Sequence, residues 1–225
     1  MTDHTILLTK EDLMSTIAIL GSGRVGTTLA TALIGSGRDV VLGVRDPARV
    51  RADWTGPTVR IVDVREAIDR AGIVINATPG DSSLARFTAL QEALAGKILV
   101  DVSNATARGG DGLPGGLVHS ESSLGELLQA ALPRTAVVKT LNTMLYSAMT
   151  APASLGSPPT VFLSGDDAEA KARVRELLTD LGWTGAGMLD LGGIASARGT
   201  EAIALLVPSL LGVLGFAPFA VSIAR

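Results

Sequence analysis

Cysteine is missing from this sequence altogether. That excludes disulfides, Cys-ligated zinc, iron–sulfur clusters and thiol catalysis. Histidine occurs twice in 225 residues, at His4 and His119, too few and too far apart to suggest a metal site. A Ser-His-Asp set has only His119 as a candidate base, and that residue reads as a solvated loop position. Aromatic residues are scarce, and a net charge of −3 leaves no basic footprint for nucleic acid. No run of like charges marks an interaction tail. Residues 1–15 lack the basic start and long apolar stretch of a secretory signal. They read as a loosely ordered leader ahead of a fold that starts near Thr16.

What is abundant is apolar sequence, 47% of the chain, enough for a sizeable core. Short β-rich runs occur at 17–20, 40–44, 58–62, 73–77, 98–102, 135–141 and 160–164. They are nearly continuous in apolar residues, as parallel strands covered on both faces are. Helical segments fall between them at 24–34, 64–71, 82–94 and 121–131, and Asp63 with Glu66 predicts a capped start for the second of these. A further helix over 168–181 carries the stripe Ala170, Val174, Leu177, Leu178 and Leu181, and a strand at 184–189 follows it. The alternation predicts a doubly wound, mostly parallel α/β sheet with a compact helical C-terminal extension. The Gly-rich stretch 105–120 reads as a flexible connection. Residues 202–224 carry no charged side chain. By length they are a candidate membrane span, but Pro208, Gly212, Gly215 and Pro218 interrupt them. They are expected to be buried in the core or in a dimer interface instead.

Gly21-Ser22-Gly23-Arg24-Val25-Gly26 matches G-x-G-x-x-G between an apolar strand and an amphipathic helix. The first glycine makes the tight turn, the second admits the pyrophosphate of a dinucleotide, and the third lets helix and strand pack closely. The helix start offers free N–H groups and its positive dipole end to the phosphates. The second strand ends in Gly43-Val44-Arg45-Asp46-Pro47. An acid there holds the ribose hydroxyls of NAD. Here Gly43 removes that carboxylate, and Arg45, with Arg49 four residues on, can pair with a 2′-phosphate. Asp46 is either an NAD-type acid or the cap of the next helix, and NADP(H) is the favoured cofactor.

Ligands sit outside the C-terminal edge of such sheets. Thr78, Ser103 and Asn142 stand at the ends of three later strands and are expected to face the nicotinamide side. No acid–base pair accompanies them. Tyr146 is the one tyrosine and position 150 is Thr, so a Tyr-x-x-x-Lys pair is absent. Lys139, inside a strand, reads as half of a structural ion pair. This suits hydride transfer between two redox cofactors, where the protein supplies orientation.

In order along the chain stand ILGSGRVG, GVRDP, INATP, DVSN, VVKTLNTM, VFLSGDDAEAK and SARGTEA. This ordered set resembles the coenzyme F420-dependent NADP oxidoreductase family over about residues 16–225. The resemblance implies a Rossmann-like NADP-binding core at 16–150. It also implies a C-terminal portion at 151–225 that shapes a second-cofactor pocket and a homodimer interface in a cytoplasmic protein. Carried over, Ser22, Arg24 and Val25 touch the pyrophosphate, and Thr78, Pro79 and Asn142, Thr143 and Met144 border the nicotinamide. The second cofactor is deazaflavin F420 or a flavin, since related chains pair the same core with flavins or ferric reductases. Two other readings compete: an NADPH-dependent reductase of a small carbonyl or imine, and a non-catalytic NADP-binding sensor.

Overall fold

The computed structural model describes residues 15–110 and 112–224, so the expected leader lies, apart from Ser15, outside the described residues. The chain alternates strand and helix from Thr16 onward. In order come β1 (Ile17–Leu20), α1 (Arg24–Gly35), β2 (Val40–Val44), α2 (Pro47–Asp53), β3 (Arg60–Asp63), α3 (Val64–Asp69) and β4 (Ile73–Asn76). Next are α4 (Ser83–Thr88), α5 (Gln91–Leu94), β5 (Ile98–Asp101), β6 (Thr106–Arg108), β7 (Pro114–Leu117), α6 (Leu124–Ala131) and β8 (Ala136–Lys139). The C-terminal portion holds β9 (Val161–Leu163), α7 (Ala168–Asp180), β10 (Met188–Asp190), α8 (Ala197–Ala202) and α9 (Val207–Leu214).

Six strands form one parallel sheet in the order β3-β2-β1-β4-β5-β8. The order reverses direction at β1, so the crevice for a ligand opens between the ends of β1 and β4. Each face of the sheet carries its own apolar cluster. Ile17, Ile19, Leu42 and Ile75 belong to one, and Ala18, Leu20, Val41 and Val74 to the other. That two-sided cover is why the strands read as continuous apolar runs rather than alternating ones.

The helices start where the sequence supplies caps. Asp63 accepts from the Glu66 backbone N–H at α3, Ser123 from Glu126 at α6, and Asp167 from Ala170 at α7. Asp46 accepts from the Arg49 backbone N–H at 3.0 Å, with Pro47 in the first turn of α2. α1 buries Gly26, Leu29, Ala30 and Leu33, a stripe at helical spacing.

Three expectations are corrected. The helix read over 82–94 is two pieces, α4 and α5, parted at Ala89 and Leu90. The Gly-rich connection contains an antiparallel pair, Thr106↔Leu117 and Ala107↔Gly116, with an irregularity after Ala107. Its glycines hide the pattern, because the pairing is carried by the backbone and not by alternating side chains. Of the two covers expected for the C-terminal apolar run, the core of this chain is ruled out, because most of the run is exposed; a dimer interface is the other. The helical stretch Ile194–Leu214 is long and apolar enough to cross a membrane by length and composition, with 22% of its apolar window buried. Val213 is 84% and Phe216 72% exposed. Hydropathy reports that a face wants cover, and a single chain supplies little of it here.

The tail beyond α9 is stitched back onto the body. Leu145 N–H donates to Phe219 O at 2.9 Å, and Thr160 N–H donates to Val221 O at 2.8 Å. Met144 and Ala220 form an isolated antiparallel bridge.

Candidate functional site: a dinucleotide cleft and an adjoining apolar pocket

A cleft of about 1200 Å³ opens at the C-terminal ends of β1, β2 and β4. Its floor is the glycine turn. Gly21 has φ +111°, a conformation other residues rarely adopt, and a Cβ there would stand 2.7 Å from the Ala77 carbonyl oxygen. A Cβ at Gly26 would collide with the Gly21 carbonyl, which is why strand and helix approach so closely. A Cβ at Gly23 would meet nothing within 4 Å, so that position faces open space. Gly23 also stands at the N-cap of α1, and no side chain caps it. The first N–H groups of the helix therefore point into the cleft unsatisfied, beside the positive end of a 12-residue dipole. This cradle fits a pyrophosphate.

Around the turn, Ser22, Arg24 and Val25 line the cleft. Thr27 Oγ1 donates to the Ser22 carbonyl at 3.3 Å, and the Arg24 guanidinium sits 5.6 Å over the Tyr146 ring. At the β2 end, Val44, Arg45 and Arg49 line the same cleft. The Arg45 side chain is in none of the ion pairs among the described residues, and Arg49 has one long contact to Asp53 at 3.8 Å. Asp46 is the cap of α2. Gly43 has a packing reason of its own: a Cβ there would stand 2.6 Å from Leu20 Cδ2 and 2.8 Å from Ala67 Cβ. The absence of a side chain at Gly43 is thus accounted for by packing, and Arg45 is the feature of this strand end that bears on a 2′-phosphate.

Thr78 and Pro79 line the cleft from the β4 side. Thr78 Oγ1 donates to Asn76 Oδ1 at 2.6 Å and accepts from Arg86 Nη1 at 2.7 Å. Arg86 was not singled out by the sequence, where an arginine in SLARFTAL looks like an exposed helix position. Its pKa is lowered from the ordinary arginine value, first by burial and then by the neighbouring charge of Arg45. Arg108, from the β6–β7 hairpin, reaches the cleft as well.

Ser103, Asn142, Thr143 and Met144 lie off this cleft. The Ser103 hydroxyl donates to Asp101 Oδ1 at 2.7 Å and so is already committed. Met144 is buried in the core. Asn142 and Thr143 instead line a second, apolar pocket of about 180 Å³ with Ile203, Val207, Leu214 and Phe219 from the C-terminal segment. Asn142 Nδ2 donates to Asn104 Oδ1 at 3.0 Å, while the buried Thr143 hydroxyl has no partner. Leu141, immediately before them, has φ +59° and is buried.

A buried charged cluster ties β5 and β8 to the C-terminal segment. Lys139 Nζ contacts Asp101 Oδ2 and Glu201 Oε1 at 2.8 Å each, and it donates to the Ser103 carbonyl. Glu201 also accepts from the backbone N–H groups of Leu124 and Gly125 at 2.9 and 3.0 Å. Asp101 Oδ1 accepts from Asn76 Nδ2 at 2.9 Å, which joins the cluster to Thr78. Burial alone would push the Lys139 pKa down, but the two carboxylates more than reverse this and hold it above the ordinary lysine value. Lys139 is thus the structural ion pair its strand position suggested.

Residues 16–105 match the family model for NADP oxidoreductase, coenzyme F420-dependent. A candidate F420-dependent NADP-reductase from Arthrobacter sp. FB24 is 42% identical and superposes with a TM-score of 0.85, over 94% of this chain and all of that one. A hypothetical protein from Sinorhizobium meliloti is 30% identical, with a TM-score of 0.68 over 81% of this chain and 88% of that one. Metalloreductase STEAP3 of Rattus norvegicus is 38% identical over 86% of this chain. The chain spans 37% of that curated relative's length. With its fold, its glycine turn and a full-length relative of this kind, the chain belongs to the coenzyme F420-dependent NADP oxidoreductase family.

Proposed function

We propose that this chain holds NADP(H) along the large cleft and presents it to a second planar redox cofactor, deazaflavin F420 or a flavin, at the apolar pocket beside Asn142 and Thr143. The observation that carries the reading is the uncapped start of α1, opening at Gly23 into a cleft that ends at Arg45. Bound NADPH supplies the hydride. The N–H groups of the α1 start hold the pyrophosphate, with Ser22, Arg24 and Val25 around it. Arg45 and Arg49 pair with the 2′-phosphate, and Thr78 and Pro79 form the facing wall of the cleft.

The residues lining the cleft include no histidine, lysine or tyrosine; of its three aspartates, Asp46 is committed to a helix cap, Asp53 lies against Arg49 and Asp81 is exposed. That suits a site whose work is orientation and exclusion of water. At about 180 Å³ the apolar pocket is smaller than common ligand sites of roughly 300–1000 Å³. It accommodates one edge of a tricyclic ring, not the whole of it. The outward apolar face of α9 is the surface a second copy of the chain would cover in a homodimer.

The test is anaerobic mixing with NADPH and oxidised F420, FMN or FAD, followed at the visible band of the acceptor. Ferric citrate with catalytic flavin belongs in the panel, because a metalloreductase is among the relatives. Bleaching of F420 or a flavin is expected. Tight NADPH binding with no turnover across the panel would overturn the transfer reading and leave a sensor.

A further inference from the structure

Arg86 has no part in the reading above, yet its setting is unusual for a surface arginine. It is half-buried on α4, and two of its five N–H donors are committed to neutral hydroxyls: Thr78 Oγ1 at 2.7 Å and Ser82 Oγ at 2.9 Å. It is in none of the ion pairs among the described residues. The charges that act on it are Arg45, which opposes its own charge, and more weakly Asp81, which supports it. A partly desolvated cation with another cation for a neighbour is unfavourable unless an anion comes between them.

The topology says where that anion would sit. β2 and β4 flank β1 in the sheet. Arg45 follows β2 and Arg86 stands on the helix after β4, so the two guanidinium groups bracket the glycine turn and line the same cleft. The β2 end is where this fold places the adenosine ribose. A phosphate monoester on that ribose carries nearly two negative charges at neutral pH, more than one guanidinium neutralises. Arg86 is also pre-positioned: Thr78 is fixed by Asn76, which is fixed in turn by Asp101.

Resting on the NADP(H) reading of the cleft, we propose that Arg86 is a further arm of the clamp on the 2′-phosphate, closing on it from the wall that faces Arg45 and Arg49. Arg86 is then a specificity residue, and it holds the 2′-phosphate from the wall opposite the loop that normally selects between NAD and NADP.

The experiment measures equilibrium dissociation constants for NADPH, NADH, 2′,5′-ADP and ADP on the full chain, using quenching of Trp54 in the cleft wall. Arg86→Gln keeps a hydrogen-bonding side chain for Thr78 and removes the charge. Its Kd for NADPH and 2′,5′-ADP is expected to rise by about 10- to 100-fold, the scale of one lost charge-assisted hydrogen bond. For NADH and ADP the change is expected to stay within about twofold, since they lack the contacted group. Arg86→Lys keeps the charge and loses the fork, so an intermediate loss confined to the 2′-phosphorylated ligands is expected, and it provides the same test if Arg86→Gln does not fold. Equal weakening of NADPH and NADH would overturn the clamp and place Arg86 on the pyrophosphate or the adenine. No change for either ligand would overturn it as well. A wild-type chain with no preference for NADPH would overturn the cofactor reading itself, whereas a wild-type preference that survives Arg86→Gln overturns the clamp alone.

Discussion

Lys139→Met removes the one cation that two buried carboxylates share. The ammonium and the Asp101 carboxylate are fully buried, and Glu201 is 5% exposed at its side chain. Methionine matches the length of lysine and leaves little empty volume, so the cost is electrostatic rather than a matter of packing. Removing one partner of a buried ion pair costs about 3–5 kcal/mol. The Lys139 pKa is held above its ordinary 10.5. Its contribution is therefore complete at neutral pH and is lost only as pH rises through the raised value. With a urea slope of about 2–3 kcal/mol per M, the unfolding midpoint should fall by about 1–2 M. Changing all three residues (Lys139→Met, Asp101→Asn, Glu201→Gln) removes the unpaired charges and keeps an oxygen acceptor for the Ser103 N–H and for one of the Leu124 and Gly125 N–H groups. That variant should be more stable than the single one by about 2 kcal/mol. Urea titration followed by far-UV circular dichroism decides it. A single-variant loss below about 1 kcal/mol, or a triple variant less stable than the single, would refute the account.

Gly26→Ala drives a methyl group into the Gly21 carbonyl, so the turn must shift. Calorimetry should show a stability loss of about 1–3 kcal/mol and a titration should show at least about tenfold weaker NADPH, while unchanged binding would mean the turn does not hold the pyrophosphate. The Glu126 carboxyl is held below its ordinary 4.5, chiefly by its hydrogen bond from Arg198. The stability this adds is present above pH 4.5 and fades as pH falls through the lowered value, so Arg198→Gln should flatten the acid limb of a urea-midpoint profile. Superimposable acid limbs for the two proteins would show that the pair contributes nothing.

The sheet and the glycine turn were legible because their physics is local. Parallel strands covered on both faces must be continuously apolar, Gly26 is demanded by the Gly21 carbonyl one turn back in the chain, and Gly21 by its own positive φ. Asp63 announced its helix because caps act over three residues. What could not be read was long-range. Asp101, Lys139 and Glu201 are brought together by strand order and by the placing of α8, and nothing near any of them in sequence announces the other two. Ser103 looked free to face a ligand, but Asp101 takes its hydroxyl. Asn142 and Thr143 follow a sheet strand, yet the left-handed Leu141 turns the chain so that they line the apolar pocket instead. Arg86 was missed because an arginine on a helix is unremarkable until its surroundings show no counter-ion.

Leu141 poses a question about tolerated strain. A left-handed conformation costs a leucine about 1–2 kcal/mol, and glycine would take it without that cost. Glycine would, however, lose about 0.5–1 kcal/mol to the freedom it gains in the unfolded chain. It would also forfeit about 1.5–3 kcal/mol from the leucine side chain, which is 1% exposed. Leucine is the better residue on balance, although the backbone alone favours glycine. The bend that aims Asn142 and Thr143 is thus nailed in place by a side chain buried in the core. The pocket gets a rigid lip, and a change that relaxes the bend gives up its anchor.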